Sequence, residues 1–198
     1  MELAQLKEKI LRMDPYDFVN EHILSGDCKY FREDQVERVR ALVSEATGIT
    51  IKRSEIHIVG SAKLGYGLFE KKQRDGTVLP PFRAFSPTSD IDVAFSSPEL
   101  FDTIWEELSS FAVSKPWMPH RMNKLGDYLV YGWLRPDHFP NEVRLHNYDR
   151  WNDKVKSLRR ENFLDRRKIS GALYRTKDFI AKYQAKGIKA CKNEMETQ

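Results

Sequence analysis

The sequence predicts a mixed α/β (α+β) fold: one β-sheet backed by helices, with more helices flanking it at both ends. Three observations carry this. Apolar residues recur at helical spacing over residues 33–47 and 98–112. Two short runs, Glu55 to Val59 and Asp90 to Phe95, are rich in β-branched and aromatic residues and read as strands. The order along the chain is helices, strand, loop, strand, helix, two strands, helices, which suits a single sheet with helical cover.

Residues 2–12 and 15–24 read as two short helices. The helix over 33–47 places Val36, Val39, Val43 and Ala46 on one face, and Gly48 supplies its stop. The strand at 55–59 ends in Gly60-Ser61. Gly65, Gly67, Gly76, Pro80, Pro81 and Pro87 punctuate 66–88, which reads as a loop. Asp90 to Phe95 is a buried strand. Pro98 opens a helix to about 112, with Leu100, Phe101, Ile104, Trp105, Leu108 and Phe111 as its apolar face. Strands follow at Tyr128 to Leu134 and Glu142 to His146. From 150 onward the pattern reads as helical, with Trp151, Val155 and Leu158 on one stripe and Ile169, Leu173, Ile180 and Tyr183 on another.

The chain has 198 residues, the length of one domain. Hydrophobic residues make up 40% of it, enough for a core, yet none of the apolar runs approaches the 18 residues of a membrane span. No membrane partner is expected. The charged N-terminus lacks the apolar stretch of a signal peptide, and Cys28 and Cys191 stand alone, so a cytoplasmic location without a disulfide is expected. Net charge is +4, unevenly spread. Residues 150–192 carry 14 Lys or Arg against four Asp or Glu. The chain thus divides into a core with N-terminal helices, 1–149, and a basic C-terminal helical segment, 150–198, packed on it. Such a segment is either a solvated helical face or a contact surface for a phosphate backbone.

The chemistry centres on Ser89-Asp90-Ile91-Asp92-Val93. Residues two apart on a strand point to the same face, so Asp90 and Asp92 aim together while Ile91, Val93 and Phe95 turn to the core. Paired carboxylates repel and raise each other's pKa, and a hard cation relieves this. Taken alone, Asp-x-Asp is more often a solvated strand face. Its partner is the upstream strand end, Gly60-Ser61, with Lys63 beyond. A glycine there admits a phosphate close to the backbone, the serine hydroxyl donates to it, and Lys63 adds a point charge.

Ile58-Val59-Gly60-Ser61 followed by Ser89-Asp90-Ile91-Asp92-Val93 resembles the signature of the DNA polymerase β-type nucleotidyltransferase superfamily, and with the downstream strands the likeness extends over roughly residues 36–147. The resemblance implies a nucleotidyltransferase core. It implies that Gly60 and Ser61, with Lys63, bind the phosphates of a nucleoside triphosphate. It implies that Asp90 and Asp92 hold two Mg2+ ions, for which Mn2+ can substitute. The third carboxylate of the family falls at Glu142, with Asp127 and Asp137 as competing candidates. A nucleotide would pass to a hydroxyl acceptor, RNA or protein, with release of pyrophosphate. Two other readings stay open: synthesis of a small nucleotide signal, and an inactive nucleotide- or RNA-binding module.

This chain departs from the family pattern at Glu142, where the family usually has aspartate, and in one connection. Where the family has a short connection, 28 residues, Ala62 to Ser89, separate Gly60-Ser61 from Asp90. Tyr66, Phe69, Lys71, Lys72, Arg74, Phe82, Arg83 and Phe85 fall in this insertion, which is either a flap that contacts substrate or a loop of no chemical importance. His57, His120, His138 and His146 lack metal-ligand spacing, and His57 is expected to have a satisfied structural hydrogen bond. Trp133 and Trp151 are expected to pack rather than stack on a base.

Overall fold

The computed structural model describes residues 1–73, 75–114, 130–134, 144–164 and 167–197. The main sheet has four strands. β1 (Ile56–Val59) runs antiparallel to β6 (Ile91–Ser96), which runs parallel to β8 (Ile169–Tyr174). β7 (Trp133–Leu134) closes the far edge, antiparallel to β8. Small hairpins fill the insertion. β2 (Tyr66–Gly67) pairs β5 (Arg83–Ala84), and β3 (Lys71–Lys72) pairs β4 (Val78–Leu79).

Helices cover both faces. Ile91, Val93 and Phe95 pack into a core with α3 (Glu33–Thr47), α5 (Pro98–Ser114) and α6 (His146–Ser157), where Val39, Ile104 and Trp151 are buried. Ala94 and Tyr174 face the opposite layer, α1 (Leu3–Arg12), α2 (Pro15–His22) and α7 (Lys177–Thr197), through Leu6, Phe18, Ile180 and Ile188. The short α4 (Gly60–Leu64) follows β1 directly. Local chemistry sets several boundaries. The Asp14 carboxylate accepts from the N–H groups of Tyr16 and Asp17 at 2.8 and 3.3 Å, with Pro15 first in α2. Gly48 ends α3 at φ +72°, a left-handed position that favours glycine.

The mixed α/β reading holds, as do the helices at 33–47 and 98–112 and the strands at 55–59 and 90–95. Two readings are corrected. The segment after 150 is not wholly helical: residues 169–174 form β8, which lies between β6 and β7, so position 149 does not separate a core from an appendage. Of the two downstream strands, the first shrinks to Trp133–Leu134, with Val130 and Tyr131 helical, and the second is absent where it is described. Arg144 and Leu145 join no sheet, and His146 begins α6, while Glu142 lies outside the described residues. None of the described helices is long and apolar enough to cross a membrane. Cys28 and Cys191 are free thiols.

Candidate active site

Asp90 and Asp92 stand at the first end of β6 and line one cavity of about 540 Å³. Asp92 belongs to the face shared with Ala94, opposite Ile91 and Val93, as alternation requires. β1 sets its surroundings on one side, since Val59 pairs with Asp92 and brings Gly60 alongside. Gly60 adopts φ +62°, and a Cβ built there would lie 2.7 Å from Asp92 Oδ2. Only a glycine lets the backbone turn against this carboxylate.

β8 sets the other side. Its parallel register places Ser170 beside Asp92, and the Ile91 N–H donates to the Lys168 carbonyl at 2.9 Å. Lys168 Nζ then reaches Asp90 Oδ2 at 3.0 Å. The insertion forms the outer wall. Lys71, Lys72 and Arg83 line the cavity beside the acidic pair, with Ser61, Ser86, Thr88 and Ser89 supplying hydroxyls. The guanidinium of Arg83 is anchored by donating to the carbonyls of Phe69 and Pro80. Ser86, Thr88 and Ser89 bond one another through their side chains, which fixes the approach to Asp90.

The electrostatics are those of two crowded carboxylates, one of them largely withdrawn from water. The carboxyl of Asp92 is pushed up to about 6, first by burial and then by the negative charge of Asp90, while Lys71 and Lys168 pull it down. Two carboxylates with neighbouring hydroxyls make an all-oxygen donor set, which fits a hard divalent cation such as Mg2+. Among the described residues, no group of three or more His, Cys, Asp or Glu is arranged to hold a metal. The candidates for a third carboxylate, Glu142, Asp127 and Asp137, all lie outside the described residues. The side chains beside the acidic pair on the β8 side are Lys168, just before that strand, and Ser170 within it, neither of which is a carboxylate.

Of the expected site residues, Gly60, Ser61, Asp90 and Asp92 come together. Lys63 does not join them. Its ammonium turns away and donates to the carbonyls of Ser25, Gly26 and Asp27 at 2.7, 2.5 and 3.1 Å. It lines a separate cavity of about 340 Å³ against β1, where Arg53 is paired with Glu33. A strand-end lysine two residues beyond Ser61 is carried by α4 to the other side of the turn.

His57 borders that second cavity. Its pKa is lowered to about 4, by burial first and then by Lys177, Arg53 and Lys63, so the ring is neutral. A backbone hydrogen bond at Ser54 acts on the ring, but Nε2 is buried without a partner among the described residues, so the expected satisfaction is half met. Trp151 is fully buried edge-on to Phe95, and Trp133 stacks on Tyr174, so both pack as expected. The residue that sequence reasoning missed is Lys168. Its signal was the short run before Ile169, hidden inside a segment whose spacing imitates a helix.

The chain matches no protein-family model, no curated protein and no solved structure.

Proposed function

We propose that the chain is a magnesium-dependent nucleotidyltransferase, of the kind its Gly60-Ser61 and Asp90-x-Asp92 motifs resemble, and that it transfers a nucleotide to a hydroxyl of RNA or protein. One observation carries the reading. A partly buried carboxylate pair is ringed by Lys71, Lys72, Arg83 and Lys168 in a single cavity. Four cations exceed two carboxylates, so the cavity attracts a polyanion even before a metal enters. A site for a metal alone would not need this excess, and a site for a polyanion alone would not need the carboxylates. A metal–polyphosphate complex uses both.

Each part then has a task. Asp90 and Asp92 hold the metal. When bound there, Mg2+ would lower the pKa of the acceptor hydroxyl and offset charge on the triphosphate. Ser61 donates its hydroxyl hydrogen to a phosphate oxygen. Lys71, Lys72 and Arg83 neutralise the departing pyrophosphate from the insertion side. Lys168 holds Asp90 in place until the substrate arrives. The acceptor hydroxyl releases its proton to solvent as its oxygen bonds to the α-phosphorus, the bond from that phosphorus to the oxygen bridging to the β-phosphate breaks, and pyrophosphate leaves.

The test uses the purified protein, Mg2+, each labelled nucleoside triphosphate, and either total RNA or a cell lysate. Label should enter RNA or protein. Asp90→Ala and Asp92→Ala should each reduce transfer by at least ~100-fold, since loss of a ligand exceeds the ~10–100-fold effect of its supporting partners. Equal labelling by wild type and Asp90→Ala sinks the reading.

A further inference from the structure

Ser61, which lines the acidic cavity, also lines a third one together with Gly60. It measures about 130 Å³ and lies between the insertion and α7, walled by Leu64, Tyr66, Phe69, Gln184, Gly187 and Ile188. Its walls are almost wholly apolar and include two aromatic rings. Its volume is of the order of the ~150 Å³ apolar cavity that accepts a single aromatic ring in a well-studied protein. Three features are hard to explain by packing alone. Phe69 leaves 37% of its surface exposed beside the opening. Gly187 stands in the interior of a 21-residue helix, a position that disfavours glycine against alanine, and the missing side chain keeps the wall open toward Phe69. Gln184, three residues earlier and half-buried as a residue, lines the same cavity, and its amide has no hydrogen-bond partner among the described residues.

We propose that this cavity seats the nucleobase of the bound nucleotide, with Tyr66 and Phe69 packing on the ring and Gln184 reading its edge. The inference rests on the nucleotidyltransferase reading for the position of the phosphates. Ser61 lies at the junction of the two cavities, so a ligand with a polyanion in one and a flat ring in the other spans it. The amide of Gln184 offers both a donor and an acceptor, as the edge of a nucleobase does. This makes Gln184 a specificity-determining residue and the insertion part of the substrate site.

The test measures binding in Mg2+, without acceptor, of tripolyphosphate, the four nucleoside triphosphates and the four nucleosides. At least one triphosphate should bind about ten-fold or more tighter than tripolyphosphate, the scale of one base stacked on an aromatic side chain. Gly187→Leu fills the cavity and should bring that nucleotide down to the affinity of tripolyphosphate, whose own binding stays unchanged. Phe69→Ala, at an exposed position, should act in the same direction and covers the case in which Gly187→Leu misfolds. Gln184→Leu should narrow the differences among the four nucleotides. If tripolyphosphate binds and no nucleotide exceeds it, the base site is overturned and the phosphate site stands. If nucleosides bind, Gly187→Leu removes them and tripolyphosphate does not bind, the base site stands and the phosphate reading fails. If no probe binds, both are overturned.

Discussion

At the scale of single residues, Gly60 decides whether the acidic pair can exist as it does. Gly48 and Gly60 share a left-handed backbone, at φ +72° and +62°. A Cβ at Gly48 meets nothing within 4 Å, whereas one at Gly60 lies 2.7 Å from Asp92 Oδ2. Gly48→Ala should therefore cost only the backbone strain, about 1–2 kcal/mol. Gly60→Ala should lose at least as much and also displace the Asp92 carboxylate, weakening Mn2+ binding. Melting curves with Mn2+ titration separate the two, and an undiminished Mn2+ affinity in Gly60→Ala refutes the link. The glycine, the serine and both aspartates were legible in the sequence, because strand alternation and a strand-ending glycine are local rules. Lys168 was not. It reaches Asp90 across 78 positions of chain, through a strand pairing that no local rule reports.

At the scale of elements, β8 shows why local periodicity failed. Ile169 and Leu173 are four apart and continue to Ile180 and Tyr183, a spacing that fits a helix face. Between them lie Ser170, Gly171 and Ala172, which carry no β-branched signal. Tertiary fit makes the segment a strand. Its six residues pair with β6 in parallel, and α6 lies so close across it that a Cβ at Gly171 would fall 2.7 Å from Val155 Cγ1 and 3.4 Å from the Trp151 ring. Here the glycine serves close packing rather than a special backbone angle. Gly171→Ala should destabilise by about 1–3 kcal/mol, the usual result of overpacking. Val155→Ala removes the methyl groups that the new Cβ meets. The double variant should then be more stable than the sum of the two single losses predicts. Urea unfolding of the four proteins checks this, and simple additivity means that the approach of α6 does not dictate Gly171.

At the scale of the whole molecule, two partly buried ionisable groups give pH dependences of opposite sign in nearly the same window. The folded pKa of Asp92 is raised, from 3.8 to about 6. Its penalty on the metal-free fold is absent below pH 3.8 and complete above 6, so this group favours folding as pH falls. The folded pKa of His57 is lowered, from 6.5 to about 4. Above pH 6.5 it is neutral in both states and contributes nothing. Below that the unfolded chain takes up a proton that the fold refuses, so stability falls as pH drops toward 4. Each effect amounts to about 3 kcal/mol at full extent. In the wild type they largely offset each other, and removing either should expose the other. In chelator, Asp92→Asn should exceed wild-type stability at pH 7.5 and lose that advantage as pH falls through 6. His57→Gln should instead gain on the wild type only below pH 6.5. Other acids titrate in this range, but they are common to all three proteins, so the differences between variant and wild type isolate these two groups. Denaturation curves that stay parallel from pH 4.5 to 7.5 for all three would mean that neither group is held as its surroundings require. Metal binding adds a further check, because a cation at Asp90 and Asp92 removes the penalty on the ionised carboxyl. The advantage of Asp92→Asn at pH 7.5 should then shrink or reverse in millimolar Mg2+, while the behaviour of His57→Gln stays as it was.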